Sequence, residues 1–233
     1  MIYRIADLDV KINNRFPFTD KFCKDYSVAD GGRFDLEVSV SDEDLATEKK
    51  QSPDFSDGYI ENICIYRNIC NRMPAFNRFL MHCAVVEYDG KCYAFLGRSG
   101  TGKSTHTSLW LKNLPNAKIL NGDKPILLYD GDSFIVYGTP WQGKERLGYN
   151  GKCKLYGLCF LEQAKKNEIT RLTVGEAADR IFTQILLPND PVAVAKTLEL
   201  CDTLIKTVPS YLLKCDISDE AFQTSFNAME KGE

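Results

Sequence analysis

Apolar and polar side chains alternate through residues 3–12 and again through Phe34-Asp35-Leu36-Glu37-Val38-Ser39-Val40, the two-residue period of a half-buried strand. Tyr59-Ile60-Glu61-Asn62-Ile63-Cys64-Ile65-Tyr66 reads as a third strand, with turns at Asp30-Gly31-Gly32 and Asp57-Gly58 and a charged, solvated connection over residues 41–57. Residues 82–88 and 91–96 flank Asp89-Gly90, a strong two-residue hairpin signal. A short strand over 117–120 ends in Asn121-Gly122-Asp123, and a second hairpin, 126–129 with 134–137, turns at Asp130-Gly131-Asp132. Residues 138–144 hold too much glycine, proline and polar surface for a core strand, whereas 154–161 is apolar enough for a central one.

The pattern then becomes helical. Thr173 and Glu176 form a capping box ahead of Ala177, Ile181, Phe182, Ile185 and Leu186, spaced for one helix face. Asp190-Pro191 opens a second helix with the stripe Val194, Leu198, Cys201 and Ile205, which Pro209 follows. A strand over 211–215 and a helix from Ser218 carrying Phe222, Phe226 and Met229 complete the chain. The expected fold class is α/β with α+β character: a mixed, largely antiparallel sheet, with helices mainly in the C-terminal third. The expected organisation is a single domain over 1–233, in which 1–79 is a β-rich subregion and 80–233 a nucleotide-binding catalytic core.

Between the first hairpin and the next helical stretch stands Gly97-Arg98-Ser99-Gly100-Thr101-Gly102-Lys103-Ser104-Thr105, which fits G-x-x-x-x-G-K-[ST] without mismatch. Glycines let the backbone curl so that successive N–H groups converge on an anion, and a helix N-terminus directly behind the loop adds its dipole. In this reading residues 97–105 bind nucleotide phosphates, Lys103 reaches the outer ones, and the Ser104 hydroxyl and Asp123 carboxylate hold Mg²⁺. Lys144, on the glycine-rich run, is a candidate phosphate or substrate contact, with a solvated lysine as the equal alternative.

Composition narrows the partners. With 29 Lys+Arg against 32 Asp+Glu in 233 residues, the net charge of −3 offers no basic surplus for nucleic acid or an anionic membrane. No apolar run reaches the length of a membrane span and no signal-peptide core opens the chain, so a cytoplasmic protein is expected. Nine scattered cysteines without a C-x-x-C pair read as reduced, buried thiols, and His82 and His106 alone make a zinc site improbable.

The stretch from Met81 through the hairpin to Ser104 resembles the catalytic segment of HPr kinase/phosphorylase, whose histidine precedes a hairpin running into such a loop. Asn121-Gly122-Asp123-Lys124-Pro125, Gly138-Thr139-Pro140-Trp141 and Phe160-Leu161-Glu162-Gln163 look like smaller HPr-kinase-related proteins, and the likeness covers roughly residues 80–215. It implies a phosphoenolpyruvate-carboxykinase-like fold, ATP or alternatively GTP with Mg²⁺, Asp123, Lys103 and His82 as catalytic residues, and homo-oligomers. The family has two adjacent aspartates where this chain has Gly122-Asp123, and it carries a Glu-x-Arg-Gly run absent here, which argues against HPr itself as the acceptor. The leading expectation is an ATP-dependent kinase acting on a hydroxyl of a peptide, protein or small molecule. The alternative, favoured by Gly122, is a nucleotide-binding regulatory module with little or no turnover. Oxaloacetate decarboxylation is disfavoured because the chain is less than half the usual carboxykinase length.

Overall fold

The computed structural model describes residues 1–28 and 32–231, so the expected turn at Asp30-Gly31 lies outside the described residues. The first strands, β1 (Ile2–Ile5) and β2 (Leu8–Asn13), form a hairpin whose turn residues Ala6 and Asp7 have φ of 52° and 59°. The run read as continuous over 3–12 therefore folds back at its middle, where Ala6 gives no glycine or asparagine signal. After a short helix α1 (Phe18–Phe22), β3 (Leu36–Ser39) joins parallel to β2.

Two expectations fail next. The segment read as a solvated connection contains helix α2 (Asp42–Gln51), started by a reciprocal capping box between Ser41 and Asp44. The segment read as a third strand lies within helix α3 (Asp57–Arg72). Its isoleucines and tyrosines favour strands locally, but Ile60, Cys64, Ile65 and Ile69 recur at helical spacing and are all buried. Ser56 caps the helix, and Glu61, fully buried, accepts the amides of Arg15 and Phe16 at 2.7 and 3.0 Å. Residues 1–79 are consequently more helical than β-rich, and the helices are not concentrated in the C-terminal third.

The large sheet is mixed, and six of its eight strand pairings are antiparallel. Its strands are β4 (Arg78–Leu80), β5 (Cys83–Tyr88), β6 (Lys91–Leu96), β7 (Lys118–Asn121), β8 (Ile126–Tyr129), β9 (Phe134–Tyr137), β10 (Lys152–Gln163), β11 (Glu168–Arg171) and β12 (Ser210–Cys215). The order runs β4-β8-β9-β10-β6-β5-β7. Strand β10 is long enough to serve two neighbours on one edge: its first residues pair with β9 and its last six with β12, which β11 flanks. The hairpin turn between β5 and β6 is at Asp89-Gly90, with φ of 50° and 73°, as its sequence predicts.

Strand periodicity divides the core. Cys92, Ala94 and Leu96 face helices α5 (Val174–Ile181) and α6 (Pro191–Thr207), whereas Tyr93 and Phe95 face α4 (Lys103–Asn113) and α7 (Asp219–Phe226). Helix α5 has the predicted Thr173–Glu176 capping box but stops at Ile181, so Phe182, Ile185 and Leu186 do not extend its face; Ile185 instead bridges to Met81. The N-terminal strands and α3 share a third cluster with Leu80, Ile126, Tyr137 and Trp141, which seats them against the β4–β8–β9 end of the sheet. All nine cysteines are buried and unbridged. No helix among the described residues is long and apolar enough to cross a membrane.

Helix α4 is anchored from below by one polar knot. Ser225 accepts from Trp110 Nε1 at 3.0 Å, lies 3.0 Å from His106 Nε2, and donates to the Phe222 carbonyl. Because the Ser225 proton is committed to that carbonyl, His106 donates from Nε2, and its buried Nδ1 is left without a partner. Burial lowers the His106 pKa to about 4 from 6.5. The unfolded chain thus binds the proton more readily, and the stability that depends on neutral His106 is complete above pH 6.5 and is lost as the pH falls toward 4. Chemical denaturation across this window should show a loss on the order of 3 kcal/mol in the native protein and a flatter profile in His106→Gln. Identical profiles in the two proteins would contradict this account of the knot.

Candidate active site

Strand β5 pairs antiparallel with both β6 and β7, so β6 and β7 run parallel to each other with β5 between them. The C-terminal ends of β6 and β7 therefore emerge at the same edge as the start of β5. The 97–102 loop follows β6, Asp123 follows β7, and His82 precedes β5, so this arrangement brings together three groups that sequence singles out separately. They line one open cleft of about 440 Å³ with Ser99, Ser104, Thr105, Gly122 and Lys144.

The loop has an irregular backbone. Gly100 and Gly102 have φ of 84° and 100°, the left-handed region that a side chain disfavours, and Gly102 is the N-cap of α4. This curl delivers the chain into the helix at Lys103, whose first-turn N–H groups have no acceptor within a helix by construction. Two side chains tether the loop from outside. Gln184 Oε1 accepts the Gly97 amide at 3.2 Å, and Gln163 Nε2 donates to the Gly100 carbonyl at 3.1 Å. Lys103 Nζ folds across the loop to the Gly97 and Arg98 carbonyls at 2.7 and 3.3 Å. Burial lowers its pKa, while the charge of Asp123 acts in the opposite sense.

Asp123 is the electrostatic centre of the cleft. His82 Nε2 lies 3.0 Å from one carboxylate oxygen, and Lys124 Nζ lies 2.8 Å from the other. Burial is the largest single influence on this carboxyl and raises its pKa, but the hydrogen bonds from His82 and Lys124 together with their charges outweigh it and hold the group at about 2. Asp123 is thus ionised throughout the neutral range. The neighbouring Asn121 shapes the turn that presents it: fully buried, its Oδ1 accepts the Asp123 and Lys124 amides at 2.9 and 2.8 Å. Asn121 Nδ2 in turn donates to Thr139 Oγ1 at 3.0 Å, and Thr139 Oγ1 donates to the Lys124 carbonyl at 2.7 Å. His82 is held by its own backbone, whose amide donates to the Gln184 carbonyl at 2.6 Å.

At position 122 a glycine is required by close approach. A Cβ there would stand 2.7 Å from the Gln142 carbonyl oxygen, so an aspartate could not enter without moving the 141–143 backbone. The single acid of this turn is therefore built into the packing of the loop that crosses it. Lys144 lies on that loop, exposed at the rim of the cleft.

The donor set at the cleft suits an ion of the Mg²⁺ type. Ser104 is exposed on the first turn of α4, its hydroxyl forms no hydrogen bond among the described residues, and Asp123 is ionised across the cleft. Among the described residues no cluster of three or more His, Cys, Asp or Glu could form a cage for a metal. An ion here would rest on the Ser104 hydroxyl and the Asp123 carboxylate, with Glu145 a further acid in the lining, the sparse protein ligation that Mg²⁺ uses beside phosphate oxygens and water.

Gln184 was not foreseen from the sequence. It lies in the short 3-10 turn after α5, 87 residues from the Gly97 amide that it holds, and no local pattern marks such a partner. Asn121 carried a local signal, since Asn-Gly-Asp is a turn in which an Asx side chain bonds to later amides.

No family model and no curated protein matches this chain. Among solved structures it is similar to the HPr(Ser) kinase/phosphatase from Coxiella burnetii, at 11% identity and a TM-score of 0.30, over 55% of this chain and 88% of that one. A likeness of that extent carries no weight for function.

Because Gly122 abuts the Gln142 carbonyl, Gly122→Asp should lower unfolding stability by roughly 1–3 kcal/mol through displacement of the crossing loop. Thermal or denaturant unfolding measures the loss. A variant as stable as the native protein would show that the loop yields freely.

Proposed function

We propose that this protein is an ATP-dependent phosphotransferase that moves the γ-phosphate to a hydroxyl group. The observation that carries the reading is the meeting, in one cleft, of a glycine loop ahead of a helix N-terminus, Lys103, and Asp123 in contact with His82. Phosphoryl transfer passes through a loose transition state that asks mainly for positioning and charge neutralisation, and these groups supply both.

In this reading the amides of the loop and of the first turn of α4 bind the phosphates. Lys103 exchanges its bonds to the loop carbonyls for the outer phosphate oxygens and offsets charge as the γ-phosphoryl group moves. Ser104 and Asp123 would hold Mg²⁺, which neutralises phosphate charge when bound. As the alternative to holding Mg²⁺, Asp123 orients the acceptor hydroxyl and receives its proton; a carboxylate held near 2 is a weak base, which suits a transfer that needs proton removal only late. His82 keeps Asp123 in position, and Lys144 contacts phosphate from the rim.

The second reading, a nucleotide-binding regulatory module, has Gly122 in its favour, because the packing at that position excludes a second carboxylate. Following γ-labelled ATP with Mg²⁺ in cell lysate separates the two. The native protein should move label to an acceptor, and Lys103→Ala and Asp123→Asn should each slow transfer by about 100-fold or more. Nucleotide binding that depends on Lys103, without any label moving, would overturn the kinase reading in favour of the module.

A further inference from the structure

Behind Asp123 the cleft continues into a second cavity of about 550 Å³, which shares Asp123, Gly143 and Lys144 with it. Its walls come from two distant parts of the chain. Phe18, Phe22, Tyr59 and Tyr66 belong to the N-terminal helices, and Trp141 begins the loop that crosses Gly122. The rings are packed against one another, with Tyr66 and Trp141 centroids 5.0 Å apart and Phe18 and Tyr59 5.7 Å apart in an edge arrangement.

Two buried polar groups in this lining lack partners. Asn62, 2% exposed, has an Oδ1 without a donor, and Trp141, 6% exposed, has an Nε1–H without an acceptor. Both atoms are closed to solvent, so they stiffen the wall of the cavity rather than open onto it. The cavity is also cationic. Lys124 lies over Tyr66, and Arg146 lies 4.5 Å over the Phe22 ring. Neither Lys144 nor Arg146 forms an ion pair among the described residues, and Asp123 is the single acid in the lining.

Resting on the phosphotransferase reading, we propose that this cavity is the acceptor subsite and that its occupant is a small molecule with a flat aromatic body, a carboxylate and a hydroxyl. The rings take the body, Arg146 and Lys144 attract the carboxylate, and the hydroxyl faces Asp123 at the shared mouth. The volume is that of a small-ligand pocket. In the reaction the acceptor oxygen bonds to the γ-phosphorus, the bond from that phosphorus to the β–γ bridging oxygen breaks, and ADP leaves with the electron pair. The hydroxyl proton passes to Asp123.

The test is calorimetric titration of the intact protein, without nucleotide, with phloretate, a phenol carrying a short carboxylate arm, and with its neutral amide. Phloretate should bind saturably. Arg146→Glu, on an exposed loop, should weaken phloretate by about tenfold or more and leave the amide unchanged. Ile63→Trp, which fills the cavity from α3, should abolish both. Absence of saturable binding, binding indifferent to Arg146, or label from ATP entering only the macromolecular fraction of lysate would overturn the subsite. Because binding is read without nucleotide, its failure is separate from failure of the transfer reading: Lys103→Ala should stop transfer while phloretate still binds.

Discussion

The arrangement depends on one antiparallel strand placed between two parallel ones. With β5 reversed between β6 and β7, the ends of two strands and the beginning of a third meet at one edge, from which the glycine loop, Asp123 and His82 issue. The 6-residue ladder between β5 and β6, buried on both faces, makes the edge rigid. A flexible glycine loop is then held at a defined place because both of its attachments, β6 and α4, are locked into the core, and Gln184 and Gln163 fasten it from the side. Precision at the cleft comes from the sheet, and adaptability comes from the loop.

The second constraint is the turn after β7. Asn121 converts its own burial into a scaffold by accepting two successive amides, which points Asp123 into the cleft between His82 and Lys124. The hydrogen bonds from His82 and Lys124, aided by charge, overcome the burial penalty on Asp123, so the acid is ionised although much of it is withdrawn from water. The loop crossing Gly122 keeps an acid out of position 122 and at the same time carries Glu145 to the cleft and Trp141 into the aromatic cavity. One loop thus sets the charge of the cleft on one side and the shape of the adjoining pocket on the other.

Features whose causes are local were legible in the sequence. The Asp89-Gly90 hairpin, the Thr173–Glu176 capping box and the strand over 126–129 each follow from residues within a few positions of one another. The N-terminal region misled because Ile60, Ile65 and Ile69 favour strands individually, while their burial on α3 depends on packing with the N-terminal strands. The aromatic cavity was illegible for the same reason. Phe18, Tyr66 and Trp141 are separated by dozens of residues, and only the seating of the N-terminal helices against the sheet brings their rings together. At the cleft, sequence offered the loop, Lys103, His82 and Asp123 as separate candidates, and the topology gathers them.

The central claim is that the amides around residues 97–105 receive nucleotide phosphates. Hydrogen–deuterium exchange with and without Mg²⁺ and ATP tests it most directly. The account predicts slowed exchange in peptides covering 97–105 and 121–124, a response that disappears in Lys103→Ala. Exchange in those peptides that is unchanged at saturating nucleotide, or protection confined to another part of the chain, would contradict it.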